Sequence, residues 1–174
     1  MHNSLRQQRR NSQPAQLSIS GLEKKIHQLI SYERRKYRLN SLQFDSQLAD
    51  IARGHSKDMA KRNFFAHHTP EGKTPADRGI AANYHCRKDY GNYYTKGISE
   101  NIFKSHLYSC VTYYNGVPYY DWMTQDKLAN LAVNGWMSSP GHRKNILTAT
   151  YDQEGIGVAV ALERNEVYIT QNFC

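Results

Sequence analysis

Chemistry concentrates first in Trp136-Met137-Ser138-Ser139-Pro140-Gly141-His142-Arg143-Lys144-Asn145-Ile146-Leu147. Ser139 has the side chain of a helix N-cap, and Pro140 suits the first helical position. His142 then falls near the third position of a short helix, where the positive end of the dipole disfavours an imidazolium. A neutral imidazole with a free nitrogen serves as a metal ligand or a general base. The alternative is a capping-turn histidine that bonds only backbone. His67 and His68 lie in the loop Ala66-His67-His68-Thr69-Pro70-Glu71-Gly72, off any apolar stripe, where they are free to face a cleft. Glu100, in Ser99-Glu100-Asn101-Ile102-Phe103, enters an apolar pair that reads as a strand. A half-buried carboxylate there needs a cation, a metal or hydrogen-bond donors; otherwise it is an exposed edge carboxylate. His55 sits on an apolar helix face and reads as a hydrogen-bonded core histidine. Ser138 and Ser139 neighbour His142, but sequence adjacency does not bring a hydroxyl within reach of an acceptor nitrogen. The chain contains no H-E-x-x-H, Walker loop, G-x-S-x-G or C-x-x-C.

Helices and strands must bring these groups together. Leu22, Ile26, Leu29 and Ile30 share one helical face, followed by a basic end, Glu33 to Arg38, that reads as solvated, with Asn40 as a stop. A second helix starts near Asp45, carries Leu48, Ile51, Ala52, His55 and Met59 on one stripe, and ends at Asn63. Thr74-Pro75-Ala76-Asp77 is a helix-start signal for a short helix reaching about Tyr84. Leu128, Leu131, Ala132 and Trp136 form a further amphipathic helix opening near Thr124 and broken at Pro140-Gly141. Ile156, Val158, Val160 and Leu162 alternate as one strand, Glu163–Glu166 turns, and Val167 and Ile169 return in a hairpin. Helices before and among strands, without a βαβ rhythm, give an α+β fold with an antiparallel sheet.

The chain has 174 residues, enough for one domain with a core that needs no staples. No apolar run approaches the roughly 18 residues of a membrane span, so the sequence as written is not an integral membrane protein. The net charge is +8, but residues 1–40 hold nine Lys/Arg against two Asp/Glu, leaving the remainder nearly neutral. The basicity is therefore N-terminal. It permits peripheral contact with an anionic surface, and no nucleic-acid-reading motif accompanies it. Residues 1–18 read as a disordered polar lead-in with no signal peptide, and 19–174 as a single domain. Residues 84–120 hold nine of the 13 tyrosines and read either as a recognition insertion or as rings packed on the domain. Cys86 and Cys110 bracket much of that stretch and could close a loop, leaving Cys174 free.

In order along the chain stand Ala52–Ala60, Asn63-Phe64-Phe65-Ala66-His67, Thr74–Arg78, Ser99-Glu100-Asn101-Ile102, Trp136–Leu147, Gly155-Ile156-Gly157-Val158 and Tyr168–Phe173. This ordered set resembles the CAP superfamily, or SCP domains, which includes cysteine-rich secretory proteins, antigen 5 allergens and plant pathogenesis-related proteins. It is most similar to the prokaryotic-type branch, where S-P-G-H-R-x-N-I-L is typical. The resemblance covers about residues 20–174. It implies a three-layer α-β-α sandwich around an antiparallel sheet, and a cleft lined by two histidines and one or two glutamates. The matching positions are His67, Glu100 and His142. The second family glutamate corresponds to a position near Ser139, so the four-group set is incomplete, and the family's many cysteines are missing.

Two nitrogens and one oxygen from His67, Glu100 and His142 would suit zinc, with water in a fourth position. The resemblance further implies a secreted, non-enzymatic domain binding a divalent metal, a small molecule or a lipid. The Tyr-rich stretch would engage a cell-envelope or protein partner. The alternative function is a metal-dependent, peptidase-like hydrolase using the same cleft.

Overall fold

The computed structural model describes residues 17–174. The first helix, α1 (Ile19–Lys36), starts at Ser18, whose side chain accepts from the Gly21 amide. Leu17 packs partly against the core. These two residues therefore belong to the domain, and the remainder of the expected disordered, membrane-contacting lead-in lies outside the described residues. Leu22, Ile26 and Ile30 are fully buried, as their spacing requires. Arg34 departs from the expected solvated end. It is buried, and its guanidinium donates to the carbonyls of Asn40, Ile146, Thr148 and Tyr151. One side chain thereby gathers the loops that follow α1 and the cleft helix.

After the two-residue strand β1 (Gln43–Phe44) comes α2 (Ser46–Arg62), capped by Asp45 at one end and closed by Asn63 in the left-handed conformation at the other. Helix α3 (Pro75–Ala81) opens with the capping box that Thr74 and Asp77 announce, and it stops short of Tyr84. Two ribbons follow on either side of a long strand. They are β2 (Arg87–Asp89) with β3 (Tyr94–Lys96), then β4 (Ser99–His106), then β5 (Tyr108–Tyr114) with β6 (Val117–Trp122). Helices α4 (Gln125–Ser138) and α5 (Pro140–Ile146) meet at Ser139, and β7 (Gln153–Ala161) and β8 (Glu166–Phe173) close the chain.

The main sheet has the order β1-β7-β8-β4, antiparallel except for the short β1–β7 pairing. One face buries Ile156, Val158, Val167, Ile169 and Phe173 against α1, α4 and α5. The other buries Ala159, Ala161, Tyr168 and Ile102 against Met59 and Ala60 of α2. The expected three-layer α-β-α arrangement follows from these two interfaces. Glycine sets the second one. A Cβ on Gly155 would lie 2.1 Å from the Ala49 nitrogen, and one on Gly157 would lie 2.0 Å from the Arg53 nitrogen. The backbone of α2 therefore rests directly on β7, which fixes the height of His55 above the sheet.

The Tyr-rich stretch is not a single insertion, because β4 at its centre is a strand of the main sheet. At the base of the β5–β6 ribbon Tyr120 stacks on Trp122, and Tyr108 packs against both. Tyr113 and Tyr114 near its tip are exposed. The reading of the tyrosines as packed rings describes the base of this ribbon. The disulfide joins Cys86 to Cys174, and Cys110 is free and exposed. The expected Cys86–Cys110 bridge fails because Cys86 is buried with Cys174, Leu48, Ile51 and Ile98, whereas Cys110 sits on the exposed ribbon. Leu162 leaves the strand for a 3-10 turn and is exposed, so the alternation ends at Ala161.

Candidate functional site

Strand β4 pairs with β8 along its whole length, and alternation sends Glu100 and Ile102 to the α2 side of the sheet. The Glu100 side chain is only 1% exposed. Burying a carboxylate at that depth requires several donors. Arg78 of α3 supplies one, with Nη2 2.5 Å from Oε2. His67 supplies another, with Nδ1 2.9 Å from Oε1. Asn172, with its amide nitrogen turned to the carboxylate, donates to Oε2 at 3.2 Å and accepts from the Ala52 amide. His55 places Nε2 3.8 Å from Oε1 but spends it on the Ala66 carbonyl at 2.9 Å. Burial first of all holds the His55 ring below the ordinary histidine pKa, with Glu100 pulling the other way and Arg78 reinforcing the decrease. This is the hydrogen-bonded core histidine its position on α2 predicts.

Arg78 has a second task. Its Nη1 donates to the His67 carbonyl at 2.9 Å. One guanidinium therefore holds both the backbone of His67 and the carboxylate that orients the His67 ring. With Nδ1 directed at Glu100, the ring offers Nε2 to the cleft, and the side chain is 43% exposed.

His142 arrives from the other side on α5. Ser139 takes the N-cap backbone position as expected, but its hydroxyl makes no capping hydrogen bond. The helix is fixed instead by amides. Asn101 Nδ2 donates to the His142 carbonyl at 3.2 Å, and Asn145 Nδ2 donates to Asn101 Oδ1 at 2.9 Å and to the Glu100 carbonyl at 3.2 Å. The His142 imidazole is half-buried. Burial lowers its pKa, and the neighbouring His67 lowers it further. The neutral state thus has two physical causes, desolvation of the ring and the second imidazole across the cleft.

The structure brings His67, Glu100 and His142 to one region but not into a three-ligand set. Among the described residues no group of three His, Cys, Asp or Glu side chains is arranged to hold a metal ion. The reason lies at Glu100. Both oxygens are engaged, by Arg78 and His67, and the group is shielded from solvent. A metal could reach it only by displacing one of them. The expected nitrogen–nitrogen–oxygen set is therefore corrected to two imidazoles with Glu100 behind one of them, the carboxylate–histidine arrangement that fixes a ligand's tautomer. His68 is exposed and makes no contact with Glu100 like that of His67.

Arg78, Asn101, Asn145 and Asn172 were given no role by the sequence. A usable signal existed for Arg78. A carboxylate entering a strand needs a cation, and Arg78 is the basic residue that the Thr74 cap places within one turn.

Comparison with known proteins fixes the lineage. The model of the cysteine-rich secretory protein family, CAP, matches residues 1–173. The chain belongs to the CAP family. It is 34% identical over 140 residues to the uncharacterized protein YkwD of Bacillus subtilis, covering 80% of the chain and 43% of that protein. It is 30% identical to the uncharacterized membrane protein YlbC of the same organism, covering 87% of the chain and 34% of that protein. The chain thus spans less than half the length of these relatives. Among solved structures, an extracellular SCP-domain protein of Bacillus anthracis has a TM-score of 0.62 at 30% identity, over 88% of this CAP domain and 40% of that chain. An outer surface protein of Borrelia burgdorferi shares the fold alone, with a TM-score of 0.65 at 15% identity over 92% and 97% of the two chains. NaASP2, solved with Zn2+, also shares the fold, with a TM-score of 0.52 at 14% identity over 94% and 82%. No described helix of this CAP domain is long and apolar enough to cross a membrane.

Proposed function

We propose that this CAP domain is an extracellular binding module whose cleft presents His67 and His142 to a divalent transition-metal ion, with Glu100 and Arg78 holding the first imidazole in place. The observation that carries the reading is the Arg78–Glu100–His67 relay. It orients one ring through Nδ1 and leaves Nε2 for a guest. The lowered pKa of His142 supports it, because only a neutral imidazole donates a lone pair. Two imidazoles suit zinc-class ions, with water or an external ligand completing the shell. The buried Cys86–Cys174 bridge supports an oxidising compartment. The likeness to an extracellular SCP-domain protein of Bacillus anthracis supports the same location. The exposed Tyr113 and Tyr114 are where we place contact with a cell-envelope or protein partner.

Titration calorimetry with zinc on the wild type, His67→Ala, His142→Ala and the double variant tests the reading. The wild type binds one ion, and each single variant loses the heat of binding while keeping its circular dichroism spectrum. Equal binding by the wild type and the double variant would overturn the assignment.

A further inference from the structure

A strand edge with free N–H and C=O groups is a template for another strand unless it is short, charged, interrupted by proline or covered. Among the described residues, every strand edge but one is protected in such a way. β1 has only two residues, and where β7 extends beyond it Glu23 takes the Val158 N–H. The outer edge of β4 is covered by α4 and α5, from which Trp136 donates to the Ile102 carbonyl and Asn145 to the Glu100 carbonyl. β2 and β3 have three residues each and carry Arg87, Lys88, Asp89 and Lys96. β6 carries Pro118 and Asp121.

β5 has none of these devices beyond an irregularity at its base, between Tyr108 and Cys110. It is seven residues long without proline, and no charged residue stands from Leu107 to Tyr120. Its pairing with β6 fixes which groups point outward. Pro118 has no N–H, so Tyr113–Pro118 is a non-hydrogen-bonded pair. Alternation makes Val111–Tyr120 the next such pair and bonds Thr112 to Tyr119. The N–H and C=O groups of Val111 and Tyr113 therefore point away from β6, and no described residue bonds them. The two-residue Asn115-Gly116 turn, with both φ positive, holds this register.

We propose that two copies of this chain pair their β5 strands antiparallel about a two-fold axis, joining two ribbons into one four-stranded sheet. Three observations select a second copy as the occupant. A two-fold pair brings each side chain near its own copy, so a charged strand would repel itself, and β5 is uncharged in a chain of net charge +8. The outward groups of Val111 and Tyr113 are matched by the same groups inverted. The ribbon packs chiefly on itself, and two strands alone are marginal in water where four are not. Because β6 is closed by Pro118, pairing ends at the dimer and does not continue into a fibre. Tyr113 and Tyr114, 68% and 61% exposed, offer roughly 250 Å2 of ring surface per copy. A standard interface takes about 800 Å2 per partner, so the dimer is weak and concentration-dependent. The inference goes beyond the zinc-binding reading, and it names a protein partner for the ribbon.

Sedimentation velocity on full-length Cys110→Ser, in which an intermolecular disulfide is impossible, follows the oligomeric state from about 1 µM to about 1 mM. The sedimentation coefficient rises toward that of a dimer. Amide exchange at Val111 and Tyr113 slows in step, whereas Thr112, bonded to β6 in both states, is protected at every concentration. Thr112→Lys and Thr112→Glu, introduced into the same background, alter an exposed side chain and leave the thermal midpoint unchanged. Each alone stays monomeric, and an equimolar mixture of the two dimerises. A monomer at every concentration, a dimer whose new protection lies outside β5, or undiminished dimerisation of Thr112→Lys would each overturn the proposal. The zinc titration reads His67 and His142, so either idea can fail without the other.

Discussion

Glu100→Gln separates an orienting carboxylate from a metal ligand. The amide keeps the shape and one acceptor oxygen. That oxygen can serve Arg78 or His67 but not both, and the new NH2 faces whichever donor it fails to satisfy. Arg78 Nη2 is 2.5 Å from the carboxylate, and the two side chains are 11% and 1% exposed, so the loss is that of a buried pair. Breaking such a pair by changing one partner costs about 3–5 kcal/mol, because the other charge stays buried. For a domain of this size that corresponds to a decrease of about 10 °C in thermal midpoint. Zinc binding by His67 and His142 should weaken by about tenfold, the usual effect of removing an outer hydrogen bond from a ligating histidine. His142→Ala should do the opposite, abolishing zinc binding with little change in midpoint, since that ring is half-buried and donates no bond to the core. Calorimetric melting of the two variants with and without zinc gives both quantities. If Glu100→Gln melts within about 2 °C of the wild type, the buried pair does not hold α3 to β4. If it loses zinc as completely as His142→Ala, Glu100 is a ligand after all.

Reducing the Cys86–Cys174 bridge, which closes a separation of 88 residues, should lower stability by about 4–5 kcal/mol on the chain-entropy estimate. Urea midpoints with and without reductant measure this, and Cys110→Ser should leave them unchanged. His27 bonds the buried Glu154 through Nδ1 at 2.6 Å, and this hydrogen bond raises its pKa from the ordinary 6.5, against opposing desolvation. Its contribution is fully present below pH 6.5 and fades as pH rises through the higher folded value. Stability of the wild type should therefore decrease across that window, and His27→Gln should flatten the decrease; parallel curves would refute the linkage. Gly157→Ala should fail to give folded protein, because its Cβ would lie 2.0 Å from the Arg53 nitrogen and α2 would have to lift off the sheet.

The local signals that sequence carries well are periodicity and caps. Leu22, Ile26 and Ile30 announce one helix face, and Asp45, Thr74 and Thr124 each cap the helix they precede. The failures share a different cause, namely partners far away in the chain. Arg34 looks like part of a solvated basic end, yet it bonds carbonyls 112 to 117 residues downstream. Nothing in its neighbours reveals that. The cysteine pairing follows from where the last strand delivers Cys174, which no spacing rule encodes. Position of the site residues was legible, but the division of labour was not. His67 and Glu100, singled out from the sequence, do touch in the fold, while the guanidinium that occupies Glu100 sits 22 residues away, in a helix read only for its cap.

The same long-range logic explains how two sides of the cleft stay in register. Glu154 is fully buried between His27 and Gln171, which donates to it at 2.6 Å. Gln171 accepts from Asn101, and Asn101 in turn binds the His142 carbonyl and Asn145, whose amide reaches the Glu100 carbonyl. A continuous hydrogen-bonded chain thus runs from α1 through β7, β8 and β4 to the backbone of both Glu100 and His142. Each member is satisfied by the next, so removing one leaves a buried polar neighbour exposed to a penalty of about 1–3 kcal/mol. An apolar core would hold α5 against the sheet, but without direction it would not fix its rotation. The amides fix it, and the orientation of His142 relative to His67 is the consequence. Asn101→Leu is the substitution that isolates this effect. It leaves Gln171 Oε1 without its donor and takes from Asn145 Nδ2 one of its two acceptors, while both cleft histidines and Glu100 remain in the chain, and zinc affinity should fall even though no ligand has been touched.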